Sequence, residues 1–265
     1  MKKCIAAAML LALLSLSACS VPVFSESYAN PTEGTFWEGS PDGLAPGVYH
    51  IPLLITTTDQ RTGDEYQTEY IQSDIPNGPI PDGRVFTHTP SGGETRELRR
   101  EDWTLDDHYN PLTRTVTVDG VITESYTYEL TYEGGLLTRR VCLSGDREVY
   151  TEEYTYDASG NTTSIIHYVG GALEYRLEMV YDETSRLLTE TTYAADGSIT
   201  ERKEHTYDDE KLTDTVLTFD GSGVCTARQI DYYNPAGFVS QSHLLSAEGE
   251  TLSITLYIPN RYTVH

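Results

Sequence analysis

Between residues 126 and 132 the chain alternates strictly. Tyr126, Tyr128, Leu130 and Tyr132 fall on one side, and Thr127, Glu129 and Thr131 on the other. A period of two marks a β-strand with one face turned to a core. The same alternation returns at Tyr150, Tyr154 and Tyr156, and at Tyr175, Leu177, Met179 and Tyr181. Turn dipeptides separate the runs: Asp119-Gly120, Gly145-Asp146, Gly170-Gly171, Asp196-Gly197, Asp220-Gly221 and Glu248-Gly249. Several favour positive φ and close two-residue hairpins. No stretch of this region repeats its apolar residues at helical spacing, so the pattern predicts an all-β fold.

The alternation is itself periodic. Tyr132, Tyr156, Tyr181, Tyr207, Tyr233 and Tyr257 follow one another at 24, 25, 26, 26 and 24 residues. Most of these marker tyrosines precede a turn, and a second turn falls 10–16 residues later. Two turns per period imply two antiparallel strands, which advance a sheet by roughly 10 Å. Such a period is the sign of units that bury apolar surface against their neighbours. The reading is an extended antiparallel β-hairpin repeat array over residues 104–265, a twisted single sheet free to curl on itself. In the last unit Leu252, Ile254, Leu256 and Ile258 are offset by one from Tyr257, which suggests a bulge or a changed register.

Residues 46–103 carry no marker tyrosine in phase and read as an irregular N-terminal β cap, with degenerate repeats as the other reading. Val48–Thr56 and Tyr66–Ile71 are strand-like, Val85–His88 is a short strand, and Ile75–Gly83 is a loop. Pro52 places the first strand at an edge, and Pro259 would stop strand addition at the far end.

The phrases Tyr156-Asp157-Ala158-Ser159-Gly160-Asn161, Tyr181-Asp182-Glu183-Thr184-Ser185-Arg186-Leu187, Tyr207-Asp208-Asp209-Glu210-Lys211-Leu212 and Tyr233-Asn234-Pro235-Ala236-Gly237-Phe238 resemble the YD repeat, also called the RHS repeat. Only the first keeps Tyr, Asp, Gly and Asn together. The resemblance covers about 155 residues from Tyr109 onward. It implies a β-hairpin array of the kind found in bacterial surface and secreted proteins. Large relatives coil into shells around a C-terminal toxin, for which this array is too short, and the family supplies no catalytic residues.

The start of the chain speaks of location. Residues 1–18 read as an export signal, with Lys2 and Lys3 before a short apolar run. Leu16-Ser17-Ala18-Cys19 matches the lipobox of bacterial lipoproteins, in which the cysteine sulfur receives a diacylglyceryl group. Residues 19–45, rich in Ser, Pro, Gly and acids, read as a flexible spacer. The expected location is the cell envelope, lipid-anchored on the extracytoplasmic face. Loss of residues 1–18 removes two lysines and no acid, taking formal charge from −23 to −25. Such a body argues against nucleic acid as a partner. Cys142 and Cys225 lie three periods apart and are read as unpaired.

Catalytic patterns are missing from the sequence. His167, His205 and His243 recur every 38 residues, out of phase with the repeat, and read as strand side chains. Glu152-Glu153 and Asp208-Asp209 point their members to opposite faces, so neither forms a dyad, although acids from separate strands can converge. The turn aspartates have a local hydrogen-bonding role and lack a calcium-loop pattern. No metal or other cofactor is expected. Tyr126, Tyr128, Tyr154, Tyr168 and Tyr193 are the candidate ligand-contact surface, set against the reading that they form the core face. The expected role is a non-catalytic binding or adhesion module for a glycan or an envelope protein. A structural subunit that self-associates through sheet edges is the second reading, and a hydrolase with acids from separate strands is the third.

Overall fold

The computed structural model describes residues 35–36, 47–71, 83–106, 108, 110–234, 239–246 and 248–264. The signal, Cys19 and nearly all of the expected spacer lie outside them, as does most of the expected loop at 75–83. The described residues contain strands and turns and no helix. In chain order the strands are β1 (Thr35–Phe36), β2 (Gly47–Asp59), β3 (Glu65–Ile71), β4 (Gly83–Thr89), β5 (Arg96–Leu105) and β6 (Pro111–Val118). β7 (Val121–Glu133), β8 (Leu136–Ser144), β9 (Arg147–Tyr156), β10 (Thr162–Val169), β11 (Ala172–Tyr181) and β12 (Leu187–Ala194) follow. β13 (Ile199–Asp208), β14 (Thr213–Asp220), β15 (Cys225–Tyr233), β16 (Val239–Ser246) and β17 (Thr251–Val264) complete the set.

From β2 to β17 every strand pairs antiparallel with its chain neighbours, and β17 pairs with β2. Sixteen strands thus close into a barrel, and β1 adds to β2 in parallel. This corrects the expected open array: closing on itself removes the free edges that a long sheet would expose. The edge-pairing route to self-association loses its basis with them. A round barrel of sixteen strands, spaced about 4.8 Å apart and tilted about 40°, has a radius of roughly 16 Å.

The expected cap is corrected too. Residues 47–105 supply β2 to β5, four regular staves of the same ring, and the boundary set at 103 falls inside β5. Pro52 is no edge residue, nor does Pro259 stop the sheet. They face each other across the β2–β17 seam, at the point where its register shifts. A bulge spares two residues without N–H groups from the ladder.

The period does correspond to two strands. Tyr132, Tyr156, Tyr181, Tyr207 and Tyr233 stand at or next to the C-terminal ends of β7, β9, β11, β13 and β15, at one rim. Asp157 shows how the turn after a marker is held. Its Oδ1 accepts from the backbone N–H groups of Ser159 and Asn161, and its carbonyl from Gly160. Asp182 repeats the arrangement with Thr184 and Arg186. Successive turns are joined along the rim by Asn161 Nδ2 to Ser185 Oγ (3.0 Å) and Arg186 to Asp209 (3.0 Å). At the opposite rim Asp119 and Gly120 (φ 51° and 74°) close a two-residue turn between Val118 and Val121. Both central residues need positive φ there, so only residues that tolerate the left-handed region serve.

Candidate functional site: the inner wall of the barrel

Side-chain burial divides the ladder into two faces. Along β7, Tyr126, Tyr128, Leu130 and Tyr132 are the more buried, and Ser125, Thr127, Glu129 and Thr131 are exposed. Register carries that division around the ring. Tyr128, Cys142 and Tyr150 share the buried face across β7, β8 and β9, and so do Ile165, Leu177 and Tyr154 across the next strands. Two apolar clusters hold this inner wall. One joins Leu137, Tyr154, Ile165, Met179 and Leu187; the other joins Tyr128, Cys142 and Tyr150.

The outer face is mostly threonine and charge. It carries Thr127 and Glu129 on β7, Arg176 and Glu178 on β11, and Arg202, Glu204 and Thr206 on β13. A barrel in a bilayer presents an apolar band there, and a midplane Arg or Lys costs about 2–4 kcal/mol. This exterior suits water. Apolar residues interrupt it at Val180 of β11, at Val141 opposite Glu129 and at Ile166 opposite Arg176, and again near the seam, where Ile230 and Ile254 flank His243 and Leu256 lies opposite Gln241. Those residues also resolve the offset in the last period. The apolar set faces outward while Tyr257 stays in the inner register, opposite Ile55 and near Ser242 (3.4 Å).

The five candidate tyrosines do not share a surface. Tyr126, Tyr128 and Tyr154 line the inner wall, while Tyr168 and Tyr193 lie outside. Tyr168 points toward Glu153 (3.5 Å), and Arg176 covers the Tyr193 ring at 4.7 Å. The marker tyrosines do structural work. Tyr156 donates to the Leu137 carbonyl (2.7 Å) and Tyr207 to the Leu187 carbonyl (2.9 Å), each time the leucine that follows the preceding marker turn. Burial pushes the Tyr156 hydroxyl up to about 12, so it remains a donor at physiological pH. Cys142 on β8 and Cys225 on β15 form no disulfide.

Three ionic clusters stand on the inner wall. In the first, Glu152 of β9 receives Arg140 Nε (2.9 Å) and Tyr154 Oη (2.7 Å), with His167 Nδ1 at 3.2 Å. His167 lies between the rings of Tyr150 and Tyr175, with centroids at 4.8 and 4.7 Å. Burial alone would raise the Glu152 carboxyl. The Arg140 charge and the hydrogen bonds from His167, Tyr154 and Arg140 overcome that and hold it at about 2.

The second cluster lies on β13 to β16. Asp214 and Asp231 oppose each other on neighbouring strands, both 3% exposed. His205 Nδ1 sits 2.7 Å from Asp214, while Gln229 (2.9 Å) and Ser242 donate to Asp231. Burial raises the Asp231 carboxyl above its ordinary value; Ser242 and Gln229 oppose the rise, and Asp214 reinforces it. Here acids from separate strands do converge. His205 belongs to this pair and His167 to the first cluster, so neither is an isolated strand side chain.

The third cluster was not singled out in the sequence. Glu101 of β5 is fully buried among Arg84 of β4 (2.9 Å), Arg114 of β6 (2.8 Å) and Arg99 of β5 (3.1 Å). Arg99 and Arg84 cover the Phe86 ring at 4.3 and 4.7 Å, and Arg84 also lies 5.5 Å from the Trp103 ring. Burial would raise Glu101, but the surrounding guanidiniums hold it below its usual range. The available signal was compositional: an acidic chain places five arginines between residues 84 and 114. Among the described residues no group of His, Cys, Asp and Glu is arranged to hold a metal ion.

No family model and no curated protein matches this chain. Among solved structures it is similar to a porin-like protein from Bacteroides uniformis, at 10% identity over 79% of this chain and 96% of that one, with a TM-score of 0.38. A porin-like protein from Bacteroides vulgatus is similar at 10% identity over 79% of this chain and 98% of that one, also with a TM-score of 0.38. The Tc holotoxin pore of Photorhabdus luminescens is similar at 11% identity over 72% of this chain but only 11% of that one, with a TM-score of 0.28. Likeness at these scores carries no functional argument, so the chain's own pairing and face chemistry must supply one.

Proposed function

We propose that this chain is a lipid-tethered, water-exposed binding barrel of the cell envelope, related to YD-repeat proteins, whose inner wall takes a glycan and performs no catalysis. One observation supports the reading above the others: the two faces carry opposite chemistries. Tyrosine rings and compensated ion pairs gather on the inner face, and threonine with solvated charge covers the outer. An eight-stranded barrel is filled by its own side chains, whereas about sixteen strands enclose more room. Aromatic rings with polar tips, set among fixed donors and acceptors, match the ring faces and hydroxyls of sugars. Cys19 in its lipobox supports the tether.

The test uses the chain from residue 19 onward, with Cys19→Ala to prevent lipidation, on arrays of glycans and envelope proteins. Binding to a glycan class, reduced by substitutions of inner tyrosines and not of Tyr168 or Tyr193, is the expected outcome. Binding to proteins alone, or to nothing, would reject the glycan reading. The same preparation should remain in the aqueous phase without detergent; a need for detergent would reject the water-facing exterior.

A second reading is favoured by the Asp214–Asp231 pair, which offers one carboxyl held toward its protonated form beside another that faces a histidine. That is the raw material for acid-base hydrolysis. Release of reducing sugar from a bound glycan, abolished by Asp231→Asn, would move the assignment to a hydrolase.

A further inference from the structure

We infer that the outer face of β14 to β17 is a docking patch for the lipid leaflet that holds the anchor. The inference rests on the lipid tether proposed above and says how the tethered barrel sits. Leu217 of β14, Ile230 and Tyr232 of β15, Leu245 of β16, and Ile254 and Leu256 of β17 share this face by register. Leu256 is 48% exposed, and the other five are half-buried. With strands about 4.8 Å apart and outward positions about 6.8 Å apart, the patch covers roughly 300 Å², a size at which apolar surface is often functional.

Acids are kept out of it. The chain has 41 Asp and Glu against 18 Lys and Arg, and Glu129, Glu153, Glu178 and Glu204 stand on the outer face of β7, β9, β11 and β13. From Thr213 to Leu217, Arg228 to Tyr232, Gln241 to Leu245 and Ile254 to Leu256, no outward side chain is an acid. Other outward apolar residues lack this setting: Val141 lies opposite Glu129, and Ile166 opposite Glu153. Water gives no reason to clear carboxylates from one sector. A leaflet does, because an acid there loses hydration beside lipid phosphate. The polar groups that remain suit such an interface. Tyr232 joins an apolar ring to a polar tip, with the His243 ring at 5.0 Å. Arg228 is exposed between Leu217 and Leu245, and its long stem lets the charge reach phosphate.

The occupant follows from the tether. Residues 20–46 join Cys19 to Gly47, where β2 begins, and β2 pairs with β17 along the seam. The anchor is thus attached through the neighbour of the strand that carries Ile254 and Leu256. Tethering raises the effective concentration of lipid around the barrel, so even a small patch is held against the leaflet. A second copy fits less well, because two strongly acidic bodies repel each other. The patch takes four of the sixteen ring strands, whereas a spanning barrel needs an apolar band all round. The barrel therefore lies on the leaflet, seam side down, and does not cross it.

The experiment is co-sedimentation of the Cys19→Ala chain with phosphatidylcholine vesicles. The parent should sediment with lipid, and Leu256→Asp should weaken the association about tenfold. Thr127→Asp, an outward change on β7, should stay within about twofold of the parent. A tryptophan reporter gives a second readout. Leu256→Trp should be quenched by bromine-labelled lipid chains and Thr127→Trp should not, each read against the parent. Far-ultraviolet spectra and urea midpoints check folding, and a misfolded Leu256→Asp leaves Leu256→Thr and the two reporters to decide. No association with vesicles, equal losses at 127 and 256, or equal quenching overturns the inference. So does a concentration-dependent dimer that Leu256→Asp dissolves, since the patch then belongs to a second copy. The mass of the native chain from a bacterial host separates the two readings. A diacylglyceryl group on Cys19 without vesicle association overturns the patch alone, whereas its absence overturns the tether and this inference together.

Discussion

Glu152→Gln puts the inner ionic network to a quantitative test. Glu152 and Arg140 are both buried on the inner wall, joined at 2.9 Å, and Tyr154 and His167 complete the set around the carboxylate. A carboxyl held at about 2 in the folded chain, against an ordinary 4.5, corresponds to about 3 kcal/mol of folding free energy. The sign follows from the direction of the displacement. A lowered carboxyl favours folding above its unfolded value, and the contribution fades as pH falls from about 4.5 toward 2. Removing the charge also strands Arg140, and breaking a buried pair costs about 3–5 kcal/mol. The substitution should therefore lower the urea-unfolding free energy at pH 7 by about that amount. The gap between parent and variant should then close between pH 4.5 and pH 2, because the parent acid becomes neutral as well. Other carboxyls titrate alike in both chains and cancel in the comparison. Arg140→Met with Glu152→Leu should recover most of the loss, since no charge then remains buried. A gap that is the same at pH 2.5 as at pH 7, or a double variant no better than Glu152→Gln, would refute the reasoning.

Three further outcomes are expected. Asp231→Asn should leave stability at pH 7 unchanged or raised, with no gain near pH 3. A raised carboxyl favours folding only while protonated, and that advantage is lost as pH climbs above the ordinary 3.8; melting temperatures at the two pH values check it. Tyr156→Phe and Tyr207→Phe should each cost about 1 kcal/mol for the lost bonds to Leu137 and Leu187. Three strands lie between them, so the double variant should equal their sum within about 0.5 kcal/mol in urea titrations. Leu212→Gly, at φ 53°, should gain about 0.5–1 kcal/mol, whereas Ser185→Gly, at φ 63°, should gain less because it gives up the Asn161 contact; urea midpoints separate the two.

The sequence exposed what is local. Alternation at 126–132 identified both the strand and its buried side, and five of the six marker tyrosines located strand ends, from β7 to β15; Tyr257 lies inside β17. Turn dipeptides such as Asp119-Gly120 fixed the connections because their φ requirements restrict residue choice. Closure was invisible, since it depends on Thr255 meeting Thr57, 198 residues away, and no local pattern encodes that pairing. The N-terminal staves lacked in-phase tyrosines and so read as a cap, although their ladder follows the same geometry. At the site, adjacency correctly separated Glu152 from Glu153. It could not supply Arg140 and His167, which reach Glu152 from the two flanking strands. Face parity also divides Tyr168 from Tyr154, a distinction that becomes decisive only once the register is known.

The seam between β2 and β17 makes the molecule a hoop fastened by its last stave. Bringing two segments together across nearly two hundred residues costs roughly 5 kcal/mol of chain entropy. Synthesis or export from the N-terminal end delivers fifteen staves before the clasp emerges. Until then β2 and β16 each carry a bare row of amides and carbonyls, the hazard that the finished ring removes. Quality control for this protein is therefore concentrated at the end of its production, when a single late pairing separates a sealed cylinder from an adhesive ribbon.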